Sequence, residues 1–260
     1  MAHRGGAALA PENTMEAFRQ AVEAWHADVL ELDVRPTLDG EIVVFHDEML
    51  DRTTNGSGPV VDCSLEELRE LDAAYHFTPH GAVGHPLRGR GVRIPTLREV
   101  LRTFPTVRVN IEIKDPRAQG EVGEVVREEG AERRVLIAAG SLQARELLNK
   151  SGLPVSASGR QLWLTHLAQI ARLGWAYRPS IDALQLPSRH GRLRPVTRRL
   201  VRAAHRRNVA VHVWTVNEEE EMRSFLELGV DGVVTDRPDV LSRLLHELHG
   251  RPLPPGAHGR

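Results

Sequence analysis

Two short runs place charge where a folded domain should bury hydrocarbon. In Val29-Leu30-Glu31-Leu32-Asp33-Val34 and in Val109-Asn110-Ile111-Glu112-Ile113-Lys114, apolar residues recur with period two and polar groups fill the alternate positions. That is the pattern of a β-strand with one apolar and one charged face. Glu31 and Asp33 share a face because they are two apart, as do Asn110, Glu112 and Lys114. Burying unpaired carboxylates is costly, so a fold that converges them must supply a cation, a hydrogen-bond network or a proton. Three carboxylates at one mouth suit a hard divalent ion, Mg²⁺ or Ca²⁺ with Mn²⁺ as an alternative, completed by water and substrate. The competing arrangement is a metal-free salt network in which the same carboxylates pair with Lys114 and Arg4.

His3 and His46 are the acid/base candidates, since an imidazole near its ordinary pKa of about 6.5 can accept or donate a proton at neutral pH. A lone strand-end histidine is most often structural, but two beside three carboxylates favour catalysis. Arg4 follows His3 and carries a forked donor set that matches phosphate oxygens, or alternatively pairs with Glu31 or Glu112. Lys114 offers a point charge to the same anion. Trp214 and His212 share one face of a later strand. Trp214, at the strand end, suits an apolar pocket wall or the core, and His212, one layer deeper, suits a hydrogen-bonded core position. His76, His80 and His85 fall in a Gly/Pro-rich loop without cysteines and read as solvated instead of zinc-binding.

These residues need elements to hold them. Strand-like runs span Val29–Val34, Val107–Lys114, Val135–Ala139, Val155–Ser158, Ala183–Leu186, Val209–Thr215 and Gly232–Thr235, and a stub at Ala2-His3 makes eight. Helical runs alternate with them. Asn13 is placed to cap a helix from Thr14 to Trp25, and Pro95-Thr96 opens one from Leu97 to Phe104. Asn217 is placed to cap the acidic run before Met222–Leu228, and Pro238 starts the last helix. Alternating strands and helices over 260 residues predict an α/β fold, a TIM (β/α)8 barrel, whose catalytic groups come from the carboxyl ends of the strands.

One stretch breaks the alternation. After a hairpin arm Glu41–His46, residues from about 47 to 95 combine a turn-rich segment, a short helix with a capping box at Ser64 and Glu67, and a His- and Gly-rich loop. They read as an insertion after the second strand that caps the catalytic mouth, within one domain of residues 1–250. Residues 251–260 read as a disordered tail.

Composition narrows the function classes. The formal net charge is −1, from 34 Lys and Arg against 35 Asp and Glu, which favours neither nucleic acid nor an acidic membrane. The arginine-rich stretch from Arg189 to Arg207 carries an apolar stripe of Leu200, Val201, Ala203 and Ala204, as a solvated barrel helix would. Cys63 is the only cysteine, which excludes an intrachain disulfide and a cysteine-rich zinc site. No apolar run reaches the ~18 residues of a membrane span. The expectation is a cytoplasmic enzyme without a membrane anchor. Only Met1 and Ala2 precede His3, so the first strand looks truncated, its neighbours are expected to lack backbone partners, and an upstream targeting segment stays open.

The motifs His3-Arg4-Gly5, Pro11-Glu12-Asn13-Thr14, Glu31-Leu32-Asp33-Val34, Val44-Phe45-His46-Asp47 and Asp51-Arg52-Thr53-Thr54 occur in that order. They continue as Pro95-Thr96-Leu97, Glu112-Ile113-Lys114, Trp214-Thr215-Val216-Asn217 and Thr235-Asp236-Arg237-Pro238. This set resembles the glycerophosphodiester phosphodiesterase family over nearly the whole chain. The resemblance implies a βα barrel with a small insertion after the second strand, and hydrolysis of small glycerophosphodiesters to glycerol 3-phosphate and an alcohol. It implies Glu31, Asp33 and Glu112 as divalent-metal ligands, His3 and His46 as acid and base, Arg4 and Lys114 as phosphate binders, and Trp214 as a wall beside the glycerol or leaving group. Two other readings compete: a lysophospholipase D acting on lipid-sized diesters, and a phosphate-binding domain without turnover.

Overall fold

The computed structural model describes residues 1–139, 152–157, 181–189, 191 and 194–258. Six of the eight expected runs form strands, while the Ala2-His3 stub and the Val155–Ser158 run contribute isolated bridges, and Ser158 lies outside the described residues. β1 (Val29–Pro36) is flanked on one side by β2 (Ile42–Val44), the antiparallel hairpin arm. On its other side lie β3 (Arg108–Ile113) and β4 (Val135–Ala139), all parallel. A second parallel sheet contains β5 (Ala183–Pro187), β6 (Ala210–Trp214) and β7 (Gly232–Val233). Two seams join the sheets: Val155 bridges Ile137 and Ser156 bridges Ala183, while Ala2 bridges both Leu30 and Thr235. The strand order is that of an eight-membered parallel barrel. Two of its positions are isolated bridges instead of full strands, so no continuous ladder closes it.

The short first strand does not leave its neighbours unpaired, contrary to expectation. The Ala2 N–H donates to the Val29 carbonyl at 3.0 Å, and the Ala2 carbonyl accepts from Glu31 N at 3.0 Å. On the other side, His3 N donates to Thr235 O at 2.8 Å and Thr235 N to Met1 O at 3.1 Å. Three residues thus satisfy both edges, because pairing needs only the groups that face each neighbour.

Helices cover the strands. α1 (Met15–Arg19) continues as a π turn over Gln20–Ala24, and α2 (Leu65–Arg69) lies in the insertion. Among the described residues the remainder are α3 (Leu97–Thr103), α4 (Gln119–Glu128), α5 (Arg198–His205), α6 (Glu219–Leu228) and α7 (Pro238–His249). The capping box at Ser64 and Glu67 forms as expected, and a second forms at Thr96 and Glu99. Two expected caps differ. Thr14, not Asn13, accepts from Ala17 N at the start of α1, and Glu218, not Asn217, precedes α6 without a side-chain cap. Both asparagines are drawn away to the site described below. The arginine-rich helix α5 does bury Leu200, Val201, Ala203 and Ala204.

The insertion after β2 has a core of its own, in which Leu50, Val60, Leu68, Ala74, Val92 and Ile94 pack on Val43 and Phe45 of the hairpin arm. Burial of such a cluster explains why so long a segment is ordered. The tail, expected to be disordered, is seated as far as His258. Arg251 pairs with Asp28 at 2.6 Å, and Pro255–His258 forms a 3₁₀ turn. Among the described residues, no helix is long and apolar enough to cross a membrane.

Candidate active site

Register converges the charged faces. In the β1–β3 ladder Glu31 stands beside Asn110 and Asp33 beside Glu112, and Lys114 N donates to Val34 O at 3.1 Å as the chain leaves β3. Side chains of neighbouring parallel residues point the same way, so the charged faces of both strands turn into the barrel. One oxygen each of Glu31, Asp33 and Glu112 lies within 4.8 Å of the others, and this is the only such cluster of potential metal ligands among the described residues. His76, His80 and His85 make no such cluster.

The three carboxylates are not equivalent. The Asp33 side chain is 1% exposed and sits between Lys114 Nζ at 3.1 Å and Arg4 Nε at 3.2 Å, and it accepts from Asn13 Nδ2 at 3.0 Å. Burial alone would raise its pKa, but Lys114, Arg4 and Asn13 together hold it below the ordinary carboxylate range. Glu112 pairs with Lys114 at 2.7 Å and is half exposed. Glu31 is buried and accepts the Arg4 backbone N–H at 2.9 Å, while its nearest cationic side chain is His3, with Nε2 4.0 Å away. Burial, reinforced by the Asp33 charge, pushes Glu31 up to about 8. A buried carboxylate without a close cation, next to two others, is a donor set that fits a divalent ion. The salt network read from sequence is therefore present around Asp33 and Glu112 but leaves Glu31 unmatched.

Both histidines are held in the same way. His3 Nδ1 lies 2.6 Å from Asp236 Oδ1, and Asp236 in turn accepts from Asn217 Nδ2 at 2.8 Å and donates its backbone N–H to Asn217 Oδ1 at 2.9 Å. This is what Asn217 does in place of capping α6. His46 Nδ1 lies 2.5 Å from Asp47 Oδ1. A carboxylate at Nδ1 fixes the ring and leaves Nε2 as the nitrogen available to substrate. Burial works against charging His3, but the Asp236 hydrogen bond and the Glu31 charge outweigh it and raise its pKa. The Asp47 carboxyl is lowered to about 2, chiefly by its hydrogen bond from Arg52.

Backbone geometry delivers these groups. Phe45 N donates to Asp33 O, and Arg35 Nε to His46 O, both at 2.9 Å, so His46 is tied to β1 as it leaves the hairpin arm. Arg4 and Asn13 adopt left-handed backbone, with φ of 50° and 59°, unusual for residues with a side chain. At Arg4 this turns its N–H towards Glu31, and Asn13 N donates to Arg4 O at 2.9 Å. Arg4 does not pair its side chain with Glu31 or Glu112, the alternative to phosphate binding that the sequence offered. Its Nη1 donates to Glu12 Oε1 at 2.9 Å, and Nη2 has no protein partner among the described residues.

The mouth encloses about 390 Å³ and is lined by His3, Arg4, Glu31, His46, Glu112 and Lys114 together with Ser156, Ala157, Gln185 and Trp214. All eight site residues expected from sequence, counting Asp33 beneath the surface, are thus brought together. Trp214 is 45% exposed at the rim, a wall and not a core residue. His212 is buried as expected, but its Nδ1 has no hydrogen-bond partner, and burial lowers its pKa to about 4. Sequence reading gave Glu12, Asp47, Arg52 and Asp236 no role, and Asn13 only that of a helix cap. Each stands in a motif quoted above, but the partner that gives it a role lies on another element or depends on the local turn.

The matching family model is that of the Glycerophosphoryl diester phosphodiesterase family, over residues 3–240. A glycerophosphodiester phosphodiesterase of Caldanaerobacter subterraneus subsp. tengcongensis is 34% identical over 254 residues, covering 95% of this chain and 97% of the relative. The glycerophosphoryl diester phosphodiesterase domain of an uncharacterized Mycobacterium tuberculosis protein superposes with a TM-score of 0.84 at 24% identity, covering 94% of this chain and 98% of that one. An Oleispira antarctica phosphodiesterase, solved in complex with the product sn-glycerol-3-phosphate, gives a TM-score of 0.72 at 22% identity, covering 94% and 95%.

Proposed function

Since the chain belongs to the glycerophosphoryl diester phosphodiesterase family and is a phosphoric diester hydrolase, we propose that it cleaves glycerophosphodiesters to glycerol 3-phosphate and an alcohol, with His3 and His46 as acid and base and a divalent cation at Glu31, Asp33 and Glu112. The observation that carries this reading is the pair of histidines, each with Nδ1 on a carboxylate, lining one pocket with the acidic cluster. When bound, the cation supplies electrostatic stabilisation of the negative charge that builds on the phosphoryl group.

The chain's own residues do the rest. Arg4 Nη2 and Lys114 Nζ are the free and partly shared donors that orient the phosphodiester. One histidine takes through Nε2 the proton of the attacking hydroxyl, that of water or of the substrate's own glycerol, and the other gives a proton to the departing alkoxide; exchange with solvent, or the reverse transfers as water opens the cyclic phosphate, then restores both rings. Asp47 and Asp236 hold the rings and stabilise whichever is the imidazolium. Ser156 and Gln185, which line the same pocket, offer polar surface to the glycerol moiety, and Trp214 closes the rim.

The test is turnover of a diester panel, from glycerophosphocholine to long-chain lysophospholipids, after chelation and with Mg²⁺, Ca²⁺ or Mn²⁺ restored. Activity on the small diesters that disappears with chelation and returns with one of these ions is the expected result. Full activity in excess chelator, or release of head groups from lysophospholipids alone, contradicts it.

A further inference from the structure

Arg52 lies outside the pocket, on the 3₁₀ turn Leu50–Arg52 of the insertion, and its side chain is half exposed, yet it makes three side-chain hydrogen bonds. Its Nη1 and Nη2 donate to the two oxygens of Glu12 at 2.8 and 2.7 Å, and its Nε donates to Asp47 Oδ2 at 2.5 Å. Each carboxylate it holds has a second partner. Glu12 Oε1 also accepts from Arg4 Nη1, and Asp47 Oδ1 also meets His46 Nδ1. One chain of contacts therefore runs His46–Asp47–Arg52–Glu12–Arg4, and it crosses 40 residues of sequence between Glu12 and Arg52.

Resting on the reading of His46 as a proton-transfer group and Arg4 as a phosphate binder, we infer that Arg52 is a positioning residue that locks these two side chains to each other across the junction of insertion and barrel. Only a planar guanidinium has the donors to fork onto one carboxylate and still bond a second. Glu12 and Asp47 are mostly covered but Arg52 is half exposed, and an ion pair whose cation is screened by solvent contributes little to stability, so the value of this lock lies in geometry and not in folding. The arms of the chain differ in consequence. Asp47 acts on the group that moves a proton, which is felt in kcat. Glu12 acts on the group that binds the anion, which is felt in KM. Arg52 acts on both.

The experiment measures kcat, KM and unfolding transitions, with divalent ion present, for Glu12→Gln, Asp47→Asn, Arg52→Gln, Arg52→Lys and the double variant E12Q/R52Q, beside His46→Ala. Asp47→Asn should lower kcat chiefly, Glu12→Gln should raise KM chiefly, and Arg52→Gln should do both, with a combined loss in kcat/KM on the order of 10²-fold. The double variant should raise KM by less than the product of the two single changes, since Arg52 and Glu12 act along the same arm. Arg52→Lys keeps the charge and should remain impaired. Melting temperatures of the Arg52 variants should stay within about 4 °C of the parent, as befits a half-exposed side chain. R52Q or R52K at parental kcat and KM, with H46A inactive, would overturn the lock while leaving the active-site reading intact. An H46A protein with parental turnover would instead overturn the active-site reading and the lock with it.

Discussion

At the scale of single residues, the site is defined by which charges are matched and which are not. Asp33 is matched twice over by Lys114 and Arg4, whereas Glu31 is buried with no cationic side chain closer than His3 at 4.0 Å. Its pKa rises from 4.5 to about 8 for that reason. Between those values the native state keeps a proton that the unfolded chain releases, so in metal-free protein this group subtracts stability as pH rises. Replacing Glu31 by Gln removes the dependence. In excess chelator, E31Q should melt higher than the parent at pH 8, with the difference shrinking by pH 5. Adding Mg²⁺ should reverse the order, because only the parent then gains a cation partner. Equal pH slopes of the two proteins in chelator would show that Glu31 is not the unmatched charge.

At the scale of elements, the first βα unit carries the greatest constraint. Gly5 has φ +85°, and a Cβ there would lie 2.6 Å from Ala17 Cβ and 3.0 Å from the Ala17 backbone carbon. The His3-Arg4-Gly5 turn can therefore lie against α1 only if residue 5 has no side chain. Gly5→Ala combines a left-handed backbone with a backbone clash, and should cost about 2–4 kcal/mol in denaturant unfolding. It should also cut activity, since His3 and Arg4 ride on the same turn. A G5A protein as stable and active as the parent would refute this packing.

Elements also show what was legible in the sequence. Period-two patterning gave β1 and β3, and with them the shared faces of Glu31, Asp33 and Glu112, because alternation is local. Cap assignment erred at Asn13 and Asn217 because both amides find better partners far along the chain, at Asp33 and Asp236. Nothing local distinguishes a capping asparagine from one recruited across a barrel. The same holds for Arg52, whose Glu12 partner is remote in sequence, and for the tail, where Arg251 meets Asp28 from 223 residues away. The insertion was legible as an interruption of the alternation, though not that its apolar residues would build a separate small core.

At the scale of the whole molecule, an eight-membered barrel order is kept although two members, Ala2 and Val155-Ser156, contribute only isolated bridges. The site straddles these seams: His3 follows one, and Ser156 lies in the other. Fold and candidate site thus share the same few contacts, and the proposed mechanism has the two histidines, 43 residues apart in sequence and brought to one mouth, work together. That cooperation is tested most directly by the release of glycerol 3-phosphate from glycerophosphocholine, with divalent ion present, by the parent and by His3→Ala and His46→Ala. The parent should release glycerol 3-phosphate and choline in equal amounts, and each variant should be slower by roughly 10²-fold or more with its fold intact. Near-parental rates in both variants would contradict the account.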